Sequence, residues 1–66
     1  MKVSNEQTEL LGIVDTMKIL NVSRATVYRL MGQGELRAVL INKRRLITRR
    51  EINRFIAELE ERADAA

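Results

Sequence analysis

Between Leu20 and Arg24 the chain has only Asn21, Val22 and Ser23 in which to end one helix and begin another. Upstream, Ile13, Met17 and Leu20 recur at i, i+4 and i+7, one face of a 3.6-residue period, which predicts a helix from Gly12 or Ile13 to Leu20. Asp15 falls in its first turn, where the helix dipole favours an anion. Downstream, Val27, Leu30 and Met31 form a second stripe at i, i+3 and i+4, in a helix from Arg24 to about Met31. Asn21 tolerates the left-handed backbone that commonly closes a helix, Val22 is an apolar turn residue, and Ser23 is a good N-cap. Two short helices across so tight a joint are the pattern of a helix-turn-helix.

After Gly32 and Gly34 the period changes. Ala38 to Ile41 and Leu46–Ile47 are short apolar runs separated by the basic stretch Asn42 to Arg45, which reads as a hairpin with its turn centred on Asn42–Lys43 or on Lys43–Arg44. Thr48 to Glu51 is a T-x-x-E capping box, in which hydroxyl and carboxylate each satisfy a backbone N–H at a helix start. Ile52, Phe55, Ile56 and Leu59 then mark an amphipathic helix running to about Arg62. Glu58, Glu60 and Glu61 lie near its C-terminus, where the dipole disfavours anions, so that end is expected to fray. The expected organisation is a flexible arm at 1–9, one domain at 10–62 and a disordered Ala-rich tail at 63–66, with a short helix capped by Ser4 and Gln7 as the alternative for the arm. The fold class is α+β, mainly helical: helix, turn, recognition helix, β-hairpin wing, C-terminal helix.

A length of 66 residues allows one small domain and makes a large enclosed substrate cavity unexpected. The absence of Cys and His removes disulfides, thiolate nucleophiles, the commonest general base and the commonest metal ligands. No apolar run is long enough for a secretory signal, so a cytoplasmic protein is expected. No nucleophile with an adjacent base is offered, so neither catalysis, a cofactor, a metal nor a small-molecule ligand is expected.

Charge is more informative, because the net +3 is concentrated. Residues 24–54 carry nine cations (Arg24, Arg29, Arg37, Lys43, Arg44, Arg45, Arg49, Arg50, Arg54) against Glu35 and Glu51, while both flanks are net acidic. That is the electrostatic footprint of a nucleic-acid binder. Tyr28 and Phe55 are the only aromatics, too few for a single-strand stacking platform, which favours duplex DNA. Arg24, directly after the N-cap of the second helix, is the candidate base reader, with a solvated or phosphate-clamping arginine as the plainer reading. Ser23 and Thr26 complete that helix start; Thr26 either meets a phosphate or bonds back to its own helix. Lys43, Arg44 and Arg45 crowd like charge at a slim hairpin tip suited to the minor groove, or else form a solvated turn. Arg49 and Arg50, cations at a helix start where the dipole disfavours them, are candidate phosphate contacts.

The segments Val22 to Leu30 (VSRATVYRL), Gly34 to Leu36 (GEL), Ala38 to Ile41 (AVLI), Lys43 to Ile47 (KRRLI) and the I-x-x-F-I of the last helix resemble, in order and spacing, the excisionase-like, MerR-related small winged helix-turn-helix DNA-binding domains. The resemblance spans about residues 10–59. It implies that Tyr28 and Arg29 lie on the phosphate backbone. It further implies an excisionase, a recombination directionality factor that binds repeated duplex sites, bends DNA and steers a tyrosine or serine integrase toward excision of a mobile element in a bacterial or phage-infected cell. A small transcriptional regulator of the same fold is the alternative, and an interaction module such as an antitoxin is a third reading. Asn21 and Asn42 stand where such domains usually have Gly, and Arg37 where Pro is frequent. Leu40 and Leu46 stand where polar or basic residues are usual. If Val39 and Ile41 point into the core, Leu40 points out, and Leu46 does the same if Ile47 packs inward. The two leucines are then a candidate protein contact, for cooperative self-association on tandem sites or for the integrase, unless the small core wraps around them.

Overall fold

The computed structural model describes residues 9–65, with the element order β1 (Leu10–Leu11), α1 (Ile13–Leu20), α2 (Arg24–Gly32), β2 (Val39–Ile41), β3 (Arg44–Thr48) and α3 (Arg49–Ala65). The joint between α1 and α2 forms as its residue types dictate. Asn21 takes the left-handed conformation at φ 58° and ψ 48°, and its amide donates to the Met17 carbonyl. The Val22 amide donates to the same carbonyl at 3.0 Å. Ser23 then caps α2, its Oγ accepting from the Thr26 amide at 3.2 Å.

Sequence reading missed β1. Leu10 and Leu11 pair antiparallel with β3, opposite Thr48 and Ile47, which turns the hairpin into a three-stranded sheet of order β1-β3-β2. The Arg49 amide extends this pairing by donating to the Glu9 carbonyl at 2.9 Å. Glu9 is therefore part of the domain rather than of an arm, whereas residues 1–8, with the alternative Ser4–Gln7 helix, lie outside the described residues.

The hairpin turn is centred on Asn42 and Lys43, both at positive φ (50° and 67°), the requirement of a type I′ turn. Its register pairs Val39 with Leu46, Leu40 with Arg45 and Ile41 with Arg44. Because directly opposed residues share a face and strands alternate, this corrects the expected parity. Ile47 is fully buried, so Arg45 and its partner Leu40 lie on the core-side face beyond the core's edge, while Leu46, Val39, Ile41 and Leu10 share the outer face. Leu40 and Leu46 therefore point to opposite faces and form no common patch.

The core gathers one or two residues from most elements: Leu11, Val27, Ile47 and Ile52 in one cluster, with Leu36 and Phe55 also buried. Ile13, Met17, Leu20 and Met31, named by helical periodicity, pack partly buried against that cluster. The α1 residue with no exposure is instead Thr16, whose hydroxyl donates to the Gly12 carbonyl at 2.9 Å. That bond leaves its methyl facing the core at no cost in unsatisfied polarity.

Two expectations for α3 are corrected. The helix continues through Ala65 instead of giving way to a disordered tail at residue 63. Alanine is the best helix former, no Gly or Pro interrupts the segment, and the i,i+4 pairs Arg54–Glu58 (2.6 Å) and Glu58–Arg62 (3.9 Å) offset the unfavourable placement of acids. At the other end only half of the capping box forms. The Glu51 amide donates to Thr48 Oγ1 at 3.1 Å, but the Glu51 carboxylate accepts from the Arg37 amide at 2.9 Å and pairs with Arg54.

The hydrogen-bonded Arg54 guanidinium holds the Glu51 carboxyl below its ordinary value of 4.5, against the opposing pull of partial burial and with help from the Arg37 amide. A depressed value in the fold means that the stability Glu51 supplies is fully present above about pH 4.5 and is lost as pH falls below it. Urea denaturation of the protein and its Glu51→Gln variant from pH 7 to pH 3 is expected to give a stability gap that narrows below pH 4.5. A gap constant across that range contradicts this assignment.

Candidate nucleic-acid interface

Helix α2 buries Val27 and half-buries Leu30 and Met31, which leaves Arg24, Ala25, Tyr28, Arg29 and Gly32 on its exposed side. Arg24, Tyr28 and Gly32 recur four apart, with Ala25 and Arg29 four apart beside them, so all five share one outward face. The first turn of α2 carries no acidic residue. Ser23 and Thr26 flank this face but satisfy each other, with Ser23 Oγ donating to Thr26 Oγ1 at 3.1 Å. The Ser23 hydroxyl is in the first instance a capping group, braced by Thr26, and such a cap is worth about 1 kcal/mol.

Tyr28, 43% exposed, lines an open groove together with Gly12, Ile13, Lys43, Arg44 and Arg45. Tyr28 of the helix face and the hairpin tip, predicted separately from sequence, thus meet at one concavity with no acidic residue in its lining, while Arg24 and Arg29 lie outside that lining. Arg45 lies on the side of the hairpin that looks toward α2, and Arg44 on the opposite side near the tip. Gly12 and Ile13, read from sequence only as a helix start, border the groove; no local signal marks them for this position.

Ion pairing sorts the cations into two sets. Among the described residues, Arg24, Arg29, Lys43, Arg44, Arg45 and Arg50 make no salt bridge, whereas Arg49, Arg54 and Arg62 each do. Arg49 contacts the Glu9 carboxylate at 3.2 Å, which explains a cation at a helix start. An exposed pair of this kind is worth only about 0–1 kcal/mol, little enough for a phosphate to compete with Glu9. Arg50 is exposed on the same turn. Arg54 is committed to structure: it reaches Glu51, Glu58 at 2.6 Å and the Glu35 carbonyl at 2.8 Å, and these carboxylates raise its already high pKa further. Arg62 contacts Glu35 at 3.4 Å. The neutralised arginines thus belong to α3, and the unneutralised ones lie on α2, on the wing and, for Arg50, in the first turn of α3.

Fold and surface together define a small winged helix-turn-helix domain. Residues 10–60 match the helix-turn-helix domain family, and the chain belongs to that family, which includes excisionase-like small proteins. No curated protein and no solved structure matches the chain. Membership supports DNA binding by the domain. Among the described residues no helix is long and apolar enough to cross a membrane.

Proposed function

We propose that this chain is a sequence-specific architectural DNA-binding protein of the excisionase type. It places α2 in a major groove and the β2–β3 wing in the adjacent minor groove, and in doing so bends the duplex and steers an integrase toward excision of a mobile element. The observation that carries the reading is the groove shared by Tyr28 and the unpaired Lys43, Arg44 and Arg45. A helix and a basic wing flanking one concavity can straddle a strand of the backbone and read both of its grooves. Bending a short site costs about 1–6 kcal/mol, and contacts made simultaneously in two grooves are what offset such a cost. The protein would act at the nucleoid in the cytoplasm, on tandem sites, with a tyrosine or serine integrase as partner. Any cooperative contact through the wing must use the Leu40 side or the Leu46 side. Single Leu40→Ser and Leu46→Ser variants, assayed separately on single and tandem sites, test that contact: lost tandem cooperativity with retained single-site affinity for one of them identifies the side used, and cooperativity intact in both excludes the wing.

The primary test selects a site from random duplex DNA, measures its bend by circular permutation, and adds the protein to an excision reaction with a tyrosine or serine integrase whose attachment region carries the selected site. Excision stimulated by the wild type is the expected result. Bending without stimulation would favour a transcriptional regulator, and tight binding of a protein without duplex binding would favour an interaction module. Salt dependence checks the wing itself. Each neutralised phosphate contributes about −0.9 to the slope of log affinity against log salt, so Arg44→Ala or Arg45→Ala is expected to flatten the slope by about one unit. An unchanged slope would put the tip away from DNA.

A further inference from the structure

The connection between the recognition helix and the wing, residues 33–38, is anchored in two ways. Its first half folds back on α2: the Gln33 amide donates to the Arg29 carbonyl at 2.9 Å, and the Glu35 amide to the Leu30 carbonyl at 2.9 Å. Its second half is held from α3. The Glu35 carbonyl accepts from Arg54 Nη2 at 2.8 Å and the Arg37 amide donates to Glu51 Oε2 at 2.9 Å, bracketing the buried Leu36. These two backbone groups therefore rest on a single ion pair, Glu51–Arg54, in the first turns of α3.

The same turns begin where β3 ends, and Thr48 Oγ1 caps them. Both ends of the wing are thus tied to one point: its entry at Arg37 through Glu51, and its exit at Thr48 through the chain itself. An Arg fork holding a carboxylate is a stiff, directional support, unlike a lone lysine. Neither Glu51 nor Arg54 is among the residues lining the groove shared by α2 and the wing tip.

We infer that Glu51 and Arg54 are positioning residues for DNA binding, which set the placement of the wing tip relative to α2 without touching DNA. This rests on the DNA-binding reading above and deepens it. It assigns to α3 a role in how the two DNA-facing elements act together, and it accounts for Arg54, inside the basic centre, being engaged by Glu51, Glu58 and the Glu35 carbonyl. Loss of the pair leaves α2 capped by Ser23 and free to dock, while the wing tip loses its fixed distance from it.

The test has two arms. The chain has no native cysteine, so a spin label attached through Lys43→Cys reports on the wing tip alone. In the free protein, the label is expected to broaden α2 amides in a pattern that changes with Glu51→Ala and, more mildly, with Glu51→Gln, which keeps an acceptor for the Arg37 amide if the alanine variant folds poorly. In the DNA arm, a combined Arg44→Ala, Arg45→Ala substitution is expected to flatten the salt slope by about two units in the wild type and by under one unit in the Glu51 variant. Arg24→Ala is expected to cost the same fold-change in both backgrounds. An unchanged broadening pattern, or a wing substitution equally costly in both backgrounds, overturns the inference and leaves Glu51 a stabilising residue only. If the wild type binds no duplex, the DNA-binding reading fails, and the label arm still decides whether the pair positions the wing.

Discussion

Ile47→Ala is expected to cost about 2–5 kcal/mol, enough to unfold much of the population, whereas Leu40→Ser in the same hairpin changes stability by no more than about 0.5 kcal/mol. A chain of 66 residues at roughly 0.05–0.15 kcal/mol per residue has about 3–10 kcal/mol in all, so the first substitution consumes a large share of it. Ile47 has no exposed surface and sits in the central strand, opposite Leu11 and in one cluster with Val27 and Ile52. A truncation there leaves a cavity bounded by three other elements. Leu40 is 67% exposed, on the core-side face but past the core's edge. Urea denaturation followed by circular dichroism checks both, and comparable losses for the two variants would contradict the placement of Leu40 beyond the core's edge.

The second large effect concerns selectivity. Arg24→Ala is expected to reduce discrimination between the selected site and random duplex by about 1–3 kcal/mol, roughly 5- to 150-fold, the worth of a bidentate arginine on a guanine edge. Arg24 is exposed one residue past the Ser23 cap and makes no salt bridge among the described residues, so its fork is free to be aimed by the helix. Tyr28→Phe removes a hydroxyl facing the groove and is expected to weaken specific and random binding alike, by about fivefold for one hydrogen bond of ~1 kcal/mol. Competition titrations against both duplexes separate the two behaviours. Equal losses on both for Arg24→Ala would reassign that residue to phosphate.

The parts legible in the sequence are those written locally. Asn21 in the left-handed region, the Ser23 cap and the outward set Arg24, Tyr28 and Arg29 each depend on residues within a turn or two. Hairpin parity was not legible for a definite reason. Val39, Leu40 and Ile41 are all apolar and so carry no period, and only the length of the turn decides which faces inward. A two-residue turn at either centre keeps Leu40 on the face of Ile47, whereas a loop one residue longer or shorter flips every side chain of one strand relative to the other. The same limit applies to Glu51. The T-x-x-E pattern is local and half of the box forms, but the carboxylate is drawn to the Arg37 amide, 14 residues away in sequence. Arg49 looks like a free cation because its acceptor, Glu9, is 40 residues away in sequence, whereas the carboxylates that hold Arg54 lie within a helical turn of it and only its contact with the Glu35 carbonyl is distant. The two residues of β1 are too few to show alternation at all.

The central claim is that α2 and the wing tip form one duplex-binding surface, with α3 behind it as a support. The most direct measurement is a titration of the isotope-labelled protein with its selected duplex, followed by backbone amide resonances. The account predicts the largest changes at residues 23–29 and 42–46, with little change from residue 56 to the end of α3. Changes concentrated on the C-terminal half of α3, or confined to either α2 or the wing alone, would contradict it.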